Sequence, residues 1–173
     1  RIQEYNDDTN QENRDEEHIP DKYELRNLEK SRKKAEKEKE SYMIVDGYNV
    51  IFNWKELKEL SDVNLDSARG KLIDILSNYQ GYTGCHMLVV FDAYRVKGQS
   101  AKQDKYQNVE IAYTAENQTA DSYIERVVHN IMSDEAKNVT VVTSDGWVQR
   151  IISGEGALRM STHEFYDRCN EVR

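Results

Sequence analysis

The sequence predicts an α/β protein built on a mostly parallel sheet covered by helices on both faces, preceded by a charged extension. Three observations carry that expectation. From residue 42 onward, short apolar runs alternate with amphipathic stretches, the pattern of repeated βαβ units. Composition changes near residue 41, from polar and charged to apolar and periodic. Successive apolar runs also lead into aspartates, as suits an open parallel sheet whose strand C-termini share one edge.

Residues 1–20 (RIQEYNDDTNQENRDEEHIP) hold few large apolar side chains and end in the single proline. Such a stretch buries too little surface to offset its ordering entropy and is read as disordered or a linker. Residues 21–41 are rich in helix formers of both charges, with Glu29 and Lys33 at the supportive i,i+4 spacing. Apolar positions are few (Tyr23, Leu25, Leu28, Ala35), so the segment reads as a solvated helix or linker rather than an RNA-contacting or ribosome-contacting arm. Residues 42–173 form the predicted domain. Its expected strands are 42–45, 87–91, 109–113, 139–143 and 157–160.

Between the strands lie the helices. Leu65, Ala68, Leu72, Ile75, Leu76 and Tyr79 recur at helical spacing, with Asn64 or Asp66 as N-cap and Gly81 as stop. Tyr123, Ile124, Val127, Val128 and Ile131 make a second apolar face. GWVQRII and STHEFYDRCNEV are shorter candidates. The stretch 95–105 reads as a basic, glycine-containing loop.

Bulk properties narrow the function. The chain has 173 residues and a net charge of −8, which argues against coating nucleic acid by bulk attraction. It leaves room for a nucleic-acid enzyme, because metal ions and a basic rim reverse the field locally. Cys85 and Cys169 lie far apart and form no ligand pattern, so both read as reduced thiols in a reducing, cytoplasmic compartment. No apolar run approaches the roughly 18 residues of a membrane span, and no secretory leader is visible. Beginning with Arg1 rather than Met, the chain is compatible with a piece of a longer protein.

The aspartates carry the chemistry. The first strand ends on Asp46, the second on Asp92 and the fourth on Asp145; the third runs into a helix whose first turn holds Asp121. Each alone is an ordinary turn or cap residue. Together on one rim they repel one another, and a divalent ion removes that conflict; oxygen ligands favour Mg²⁺ or Mn²⁺. A metal held by such a rim supports phosphodiester hydrolysis. Asp46, Asp121 and Asp145 are the expected ligands, direct or through water. Asp92 is expected to be a ligand or to orient the attacking water. Asn49 is expected to hold the substrate phosphate or a water at the metal, and Glu125, one turn past Asp121, to join the metal site, equally as a peripheral group.

RNA contact needs cations near that rim. Arg95, Lys97 and Lys102 (with Lys105) follow Asp92, and Arg69, Lys71, Arg126 and Arg150 are further candidates. Tyr48, Tyr94 and Trp147 sit beside the acids and are able to stack on bases, although covering core edges is the favoured reading. His86, His129 and His163 show no metal-ligand spacing.

"IVDGYNVI", "VVFDAYR", "TADSYIERVV" and "VTVVTSDGWVQ" together resemble the NYN-domain proteins of the YacP-like branch, PIN-like metal-dependent nucleases, over residues 42–172. The resemblance implies a PIN-like three-layer α/β/α sandwich and endoribonuclease activity. It further implies association with the ribosome and cleavage of mRNA during translation. The charged extension 1–41 departs from the family pattern. Two rival enzymes fit poorly. A phosphatase of the haloacid dehalogenase type needs a second aspartate where Tyr48 stands, and no glycine-rich phosphate loop follows the first strand as a Rossmann domain requires. The non-enzyme alternative is an RNA- or ribosome-binding module with a vestigial acidic site.

Overall fold

Polar residues of high helix propensity build the first element. In the computed structural model, which describes residues 19–95 and 101–173, α1 spans Lys22–Glu38. Its start is a capping box. Asp21 accepts from the backbone N–H groups of Tyr23 and Glu24 at 2.7 and 2.8 Å, and Glu24 accepts from the Asp21 N–H at 3.0 Å. None of its residues is buried. It belongs to a unit separate from residues 39–173. The unstructured stretch expected over 1–20 falls almost wholly outside the described residues.

The second unit is organised by a six-stranded sheet in the order β3-β4-β2-β1-β5-β6. Its strands are β1 (Glu40–Asp46), β2 (His86–Phe91), β3 (Lys102–Tyr106), β4 (Val109–Tyr113), β5 (Lys137–Val142) and β6 (Leu158–Met160). All neighbours run parallel except β3 and β4. The helices of this unit are α2 (Gly47–Asn53), α3 (Lys55–Val63), α4 (Leu65–Thr83), α5 (Ala120–Met132), α6 (Gly146–Gly154) and α7 (Thr162–Glu171).

Strand alternation divides the core in two. Val45, Val89 and Val142 point into a cluster with Ile51, Leu57, Leu72, Leu76 and Phe165 of α2, α3, α4 and α7. Ile44, Val90 and Val141 point the other way, against Ile124, Val128, Val148 and Ile152 of α5 and α6. The result is three layers, helices on both faces of one sheet. Among the described residues no helix is long and apolar enough to cross a membrane.

Three local expectations change. β1 begins at Glu40, two residues before the apolar run, because pairing with β5 extends it. The basic loop expected over 95–105 is in part β3, an edge strand with every residue exposed, held antiparallel to β4. Its charged sequence, KQDKY, shows no apolar alternation because neither face is covered, and charge protects such an edge from pairing with other chains. The Asp46-Gly47 step is no loop. α2 starts at Gly47 directly from β1, and α3 follows after Trp54 alone, whose indole N–H donates to the Thr162 carbonyl at 2.8 Å.

Gly47 permits that abrupt start. A Cβ there would intrude on the Phe91 ring and stand 3.0 Å from the Val90 carbonyl oxygen. Phe91 is fully buried, so its ring cannot swing clear cheaply. Gly47→Ala is expected to cost about 1–3 kcal/mol of stability, read by urea denaturation. A loss below the error of that measurement would show the ring to be mobile.

Candidate active site

The register of the parallel strands assembles the acids. Asp46 pairs with Val90 on β2, while its predecessor Val45 pairs with Val142 on β5. Asp92 therefore lies two residues beyond the Asp46 level on one side, and Asp145 two residues beyond it on the other. Asp46 sits between them, 8 % exposed.

Asp46, Asp92 and Asp145 are held by backbone or hydroxyl donors. Asp46 accepts from the Thr143 hydroxyl at 3.3 Å, and that same hydroxyl oxygen accepts from the Asp145 N–H at 3.1 Å. Thr143 is wholly buried and links the two acids. Sequence reasoning missed it. Its signal was a hydroxyl residue directly after the run VTVV and two places before Asp145. Asp145 caps α6, accepting from the Trp147 N–H at 2.9 Å. Asp92 accepts from the N–H of Tyr94 at 3.0 Å and of Ala120 at 3.4 Å, which ties the end of β2 to the helix carrying Asp121. Asn49 accepts from the Ser144 N–H at 2.7 Å and so fixes the loop leading to Asp145.

The electrostatics are those of crowded carboxylates. Burial, then the Asp121 charge, raises Asp46 to about 7; Asp145 adds to the rise, while hydrogen bonds with Thr143 and Asn49 oppose it. Asp121 is also raised, by burial and by the charges of Asp145 and Asp92. Asp121 thus links the set, since its charge acts on Asp46 and it feels those of Asp145 and Asp92. Glu125 follows one helical turn after Asp121 on α5. It is exposed, and the charges that lift Asp121 belong to Asp145 and Asp92.

The candidate RNA contacts divide. Arg95 is exposed, with its guanidinium 4.7 Å from the Phe52 ring and 5.8 Å from the Tyr48 ring. Lys102 lies exposed over Tyr113 at 5.1 Å, and Arg126 over Tyr123 at 5.4 Å. Lys97 lies outside the described residues. Arg69, expected to face RNA, is instead buried, donating to the Tyr48 hydroxyl at 3.0 Å and paired with Asp66. The helical face that carries Leu72 and Leu76 also carries Arg69 inward, so its charge serves packing. The aromatics also correct expectation. Tyr48 is buried, but Tyr94 and Trp147 cover no core edge: they are 87 % and 62 % exposed.

The donor set suits a hard divalent cation in type and charge. It offers carboxylate oxygens alone, and Asp46 and Asp121 are raised first by burial and then by neighbouring carboxylates, both of which disfavour a bare negative charge that such an ion would offset. Among the described residues, no three carboxylate, imidazole or thiol groups are gathered closely enough to hold an ion as they stand. Cys85 and Cys169 are free and buried, and burial pushes the Cys169 thiol up to about 12.

Residues 43–173 match the family model of the YacP-like NYN domain. The chain belongs to the YacP-like NYN-domain family. The uncharacterized protein YacP of Bacillus subtilis (strain 168) is 43 % identical over 122 residues, covering 70 % of this chain and 71 % of that protein. Crystal structures of Rae1 (YacP) from Bacillus subtilis also match this NYN domain. One covers 76 % of this chain and 74 % of that one at 40 % identity, with a TM-score of 0.67. A tryptophan-to-leucine variant covers 77 % and 76 % at 36 % identity, with the same TM-score. The three-layer fold is accordingly PIN-like. Membership of the NYN family supports a nuclease-like, RNA-related role.

Proposed function

We propose that this NYN domain is a divalent-metal-dependent endoribonuclease that hydrolyses phosphodiester bonds of mRNA on the ribosome. The observation that carries the reading is the position of Asp46, central among mutually repelling acids at the C-terminal edge of a parallel sheet. Asp46, Asp121 and Asp145 would hold Mg²⁺ or Mn²⁺, their side chains drawing inward to do so, with Glu125 reaching it through water. Bound there, the ion supplies Lewis-acid activation of water and neutralises charge on the phosphate.

The chain's own residues supply the rest. Thr143 orients the Asp46 carboxyl, and Asn49 fixes the loop that positions Asp145. Asp92, with its two backbone donors, sets the start of α5 and hence Asp121; the same carboxylate is available to orient the attacking water. Arg95, Lys102 and Arg126 are the exposed cations for the RNA backbone. The ribosome enters because a chain of net charge −8 gathers free RNA poorly, and a large assembly that already holds mRNA removes that barrier. The resemblance to the ribosome-associated branch points the same way.

End-labelled mRNA, free and on translating ribosomes, tests the proposal with Mg²⁺ or Mn²⁺ against EDTA. Internal cuts that vanish with EDTA are expected, with more on ribosomes than on free RNA. Cutting that persists in EDTA would overturn the metal dependence, and no cutting on either substrate would overturn the enzymatic reading and leave an RNA- or ribosome-binding module.

A further inference from the structure

Two short segments repeat one geometry on either side of Asp46. In Asp92-Ala93-Tyr94 and Asp145-Gly146-Trp147, an aspartate lies just past its strand, and the N–H of the aromatic residue two places on donates to it, at 3.0 and 2.9 Å. The register sets both segments at the same level beyond Asp46. Each aromatic backbone is therefore pinned to an acid of the rim. Both side chains stand largely in water, and neither belongs to a core cluster.

A single exposed aromatic needs no explanation. Two of them, fixed by matching bonds and bracketing the same acidic centre, do. β2 and β5 flank β1, so their axes lie roughly 10 Å apart, two inter-strand spacings. A splayed dinucleotide bridges such a gap with its phosphate over the middle strand. Beside Tyr94, Arg95 lies over Phe52 and Tyr48, which leaves the edge of its guanidinium for the same strand's backbone.

We propose that Tyr94 and Trp147 are paired stacking posts for the bases on either side of the bond to be cut, so that the site selects unpaired RNA. The inference rests on the nuclease reading for the location of that bond. Aromatic side chains hold unstacked bases whatever their identity, whereas duplex bases are already stacked on one another. The posts thus select for single-strandedness and not for sequence.

The test separates binding from cutting. In the Asp121→Asn background, a short single-stranded RNA is titrated while tryptophan emission is followed. The chain has two tryptophans, and Trp54 is buried with its indole bonded to Thr162, so an RNA-dependent change reports Trp147. Emission is expected to be quenched by the single strand and not by its duplex, and Trp147→Phe is expected to remove the quench while keeping most of the affinity. Trp147→Ala and Tyr94→Ala are each expected to weaken binding about tenfold, within the range of base–aromatic stacking. An abasic nucleotide on the matching side of the bond is expected to abolish each alanine variant's deficit. Binding with unchanged emission, alanine variants as tight as the parent, equal quenching by duplex, or no RNA binding at all would overturn the pair. Quenching by a parent protein whose unsubstituted form cuts no RNA would instead refute the nuclease and leave the posts standing.

Discussion

Asp46→Asn is expected to lower RNA cleavage by about a thousandfold or more while leaving the fold intact. The substitution keeps the side chain's size, and an amide oxygen still accepts from Thr143. What it removes is a negative charge at the centre of the acid cluster. A metal ion contributes several kcal/mol of charge stabilisation in such hydrolyses, and each 1.36 kcal/mol is a factor of ten in rate. Asp92→Asn is expected to cost less, since its two oxygens already receive the N–H groups of Tyr94 and Ala120. Initial rates on end-labelled RNA with Mn²⁺, alongside RNA affinity, check this. An Asp46→Asn protein that cuts at the parental rate would remove Asp46 from the machinery.

The same substitution is expected to stabilise the chain at neutral and alkaline pH. In the unfolded chain Asp46 titrates near 3.8, and in the fold near 7. Between those values the folded form binds a proton that the unfolded form has lost, so this group's contribution falls as pH rises through the window. Below about pH 4 there is no penalty. Above about pH 7 it reaches its full value, at most about 4 kcal/mol from a shift of this size. Asparagine stays neutral throughout. The stability difference between Asp46→Asn and the parent, from urea denaturation, should grow from near zero at pH 4 to several kcal/mol at pH 8. Millimolar Mn²⁺ should narrow it by stabilising the parent alone. A difference independent of pH would show that Asp46 carries no buried charge.

These effects share one origin. A site that gathers carboxylates before its cation arrives is stabilised by neutralisation, whether through a proton, an amide or an ion. Substitution to asparagine at Asp46 therefore trades activity for stability, and the two measurements should move in opposite directions.

The sequence by itself determined the sheet and the acids. β1, β2 and β5 were legible because the Val- and Ile-rich runs at their centres are buried on both faces, which favours apolar residues there, and β4 because Val109, Ile111 and Ala112 are buried although Glu110 is exposed. Asp46, Asp92 and Asp145 followed, since parallel strands bring their C-termini to one edge and every such acid arrives there with them. The tertiary structure decided the rest. KQDKY became β3 only because β4 offered it backbone partners, which side-chain pattern does not record. Arg69 turned inward because the Tyr48 hydroxyl and Asp66 satisfy its charge. Thr143 joined the site through a bond to a residue 97 positions away. Tyr94 and Trp147 were left in water because their backbones are tied to Asp92 and Asp145 at the rim, outside both cores. Local pattern encodes what each segment must bury. Which polar groups meet depends on contacts between segments distant in sequence.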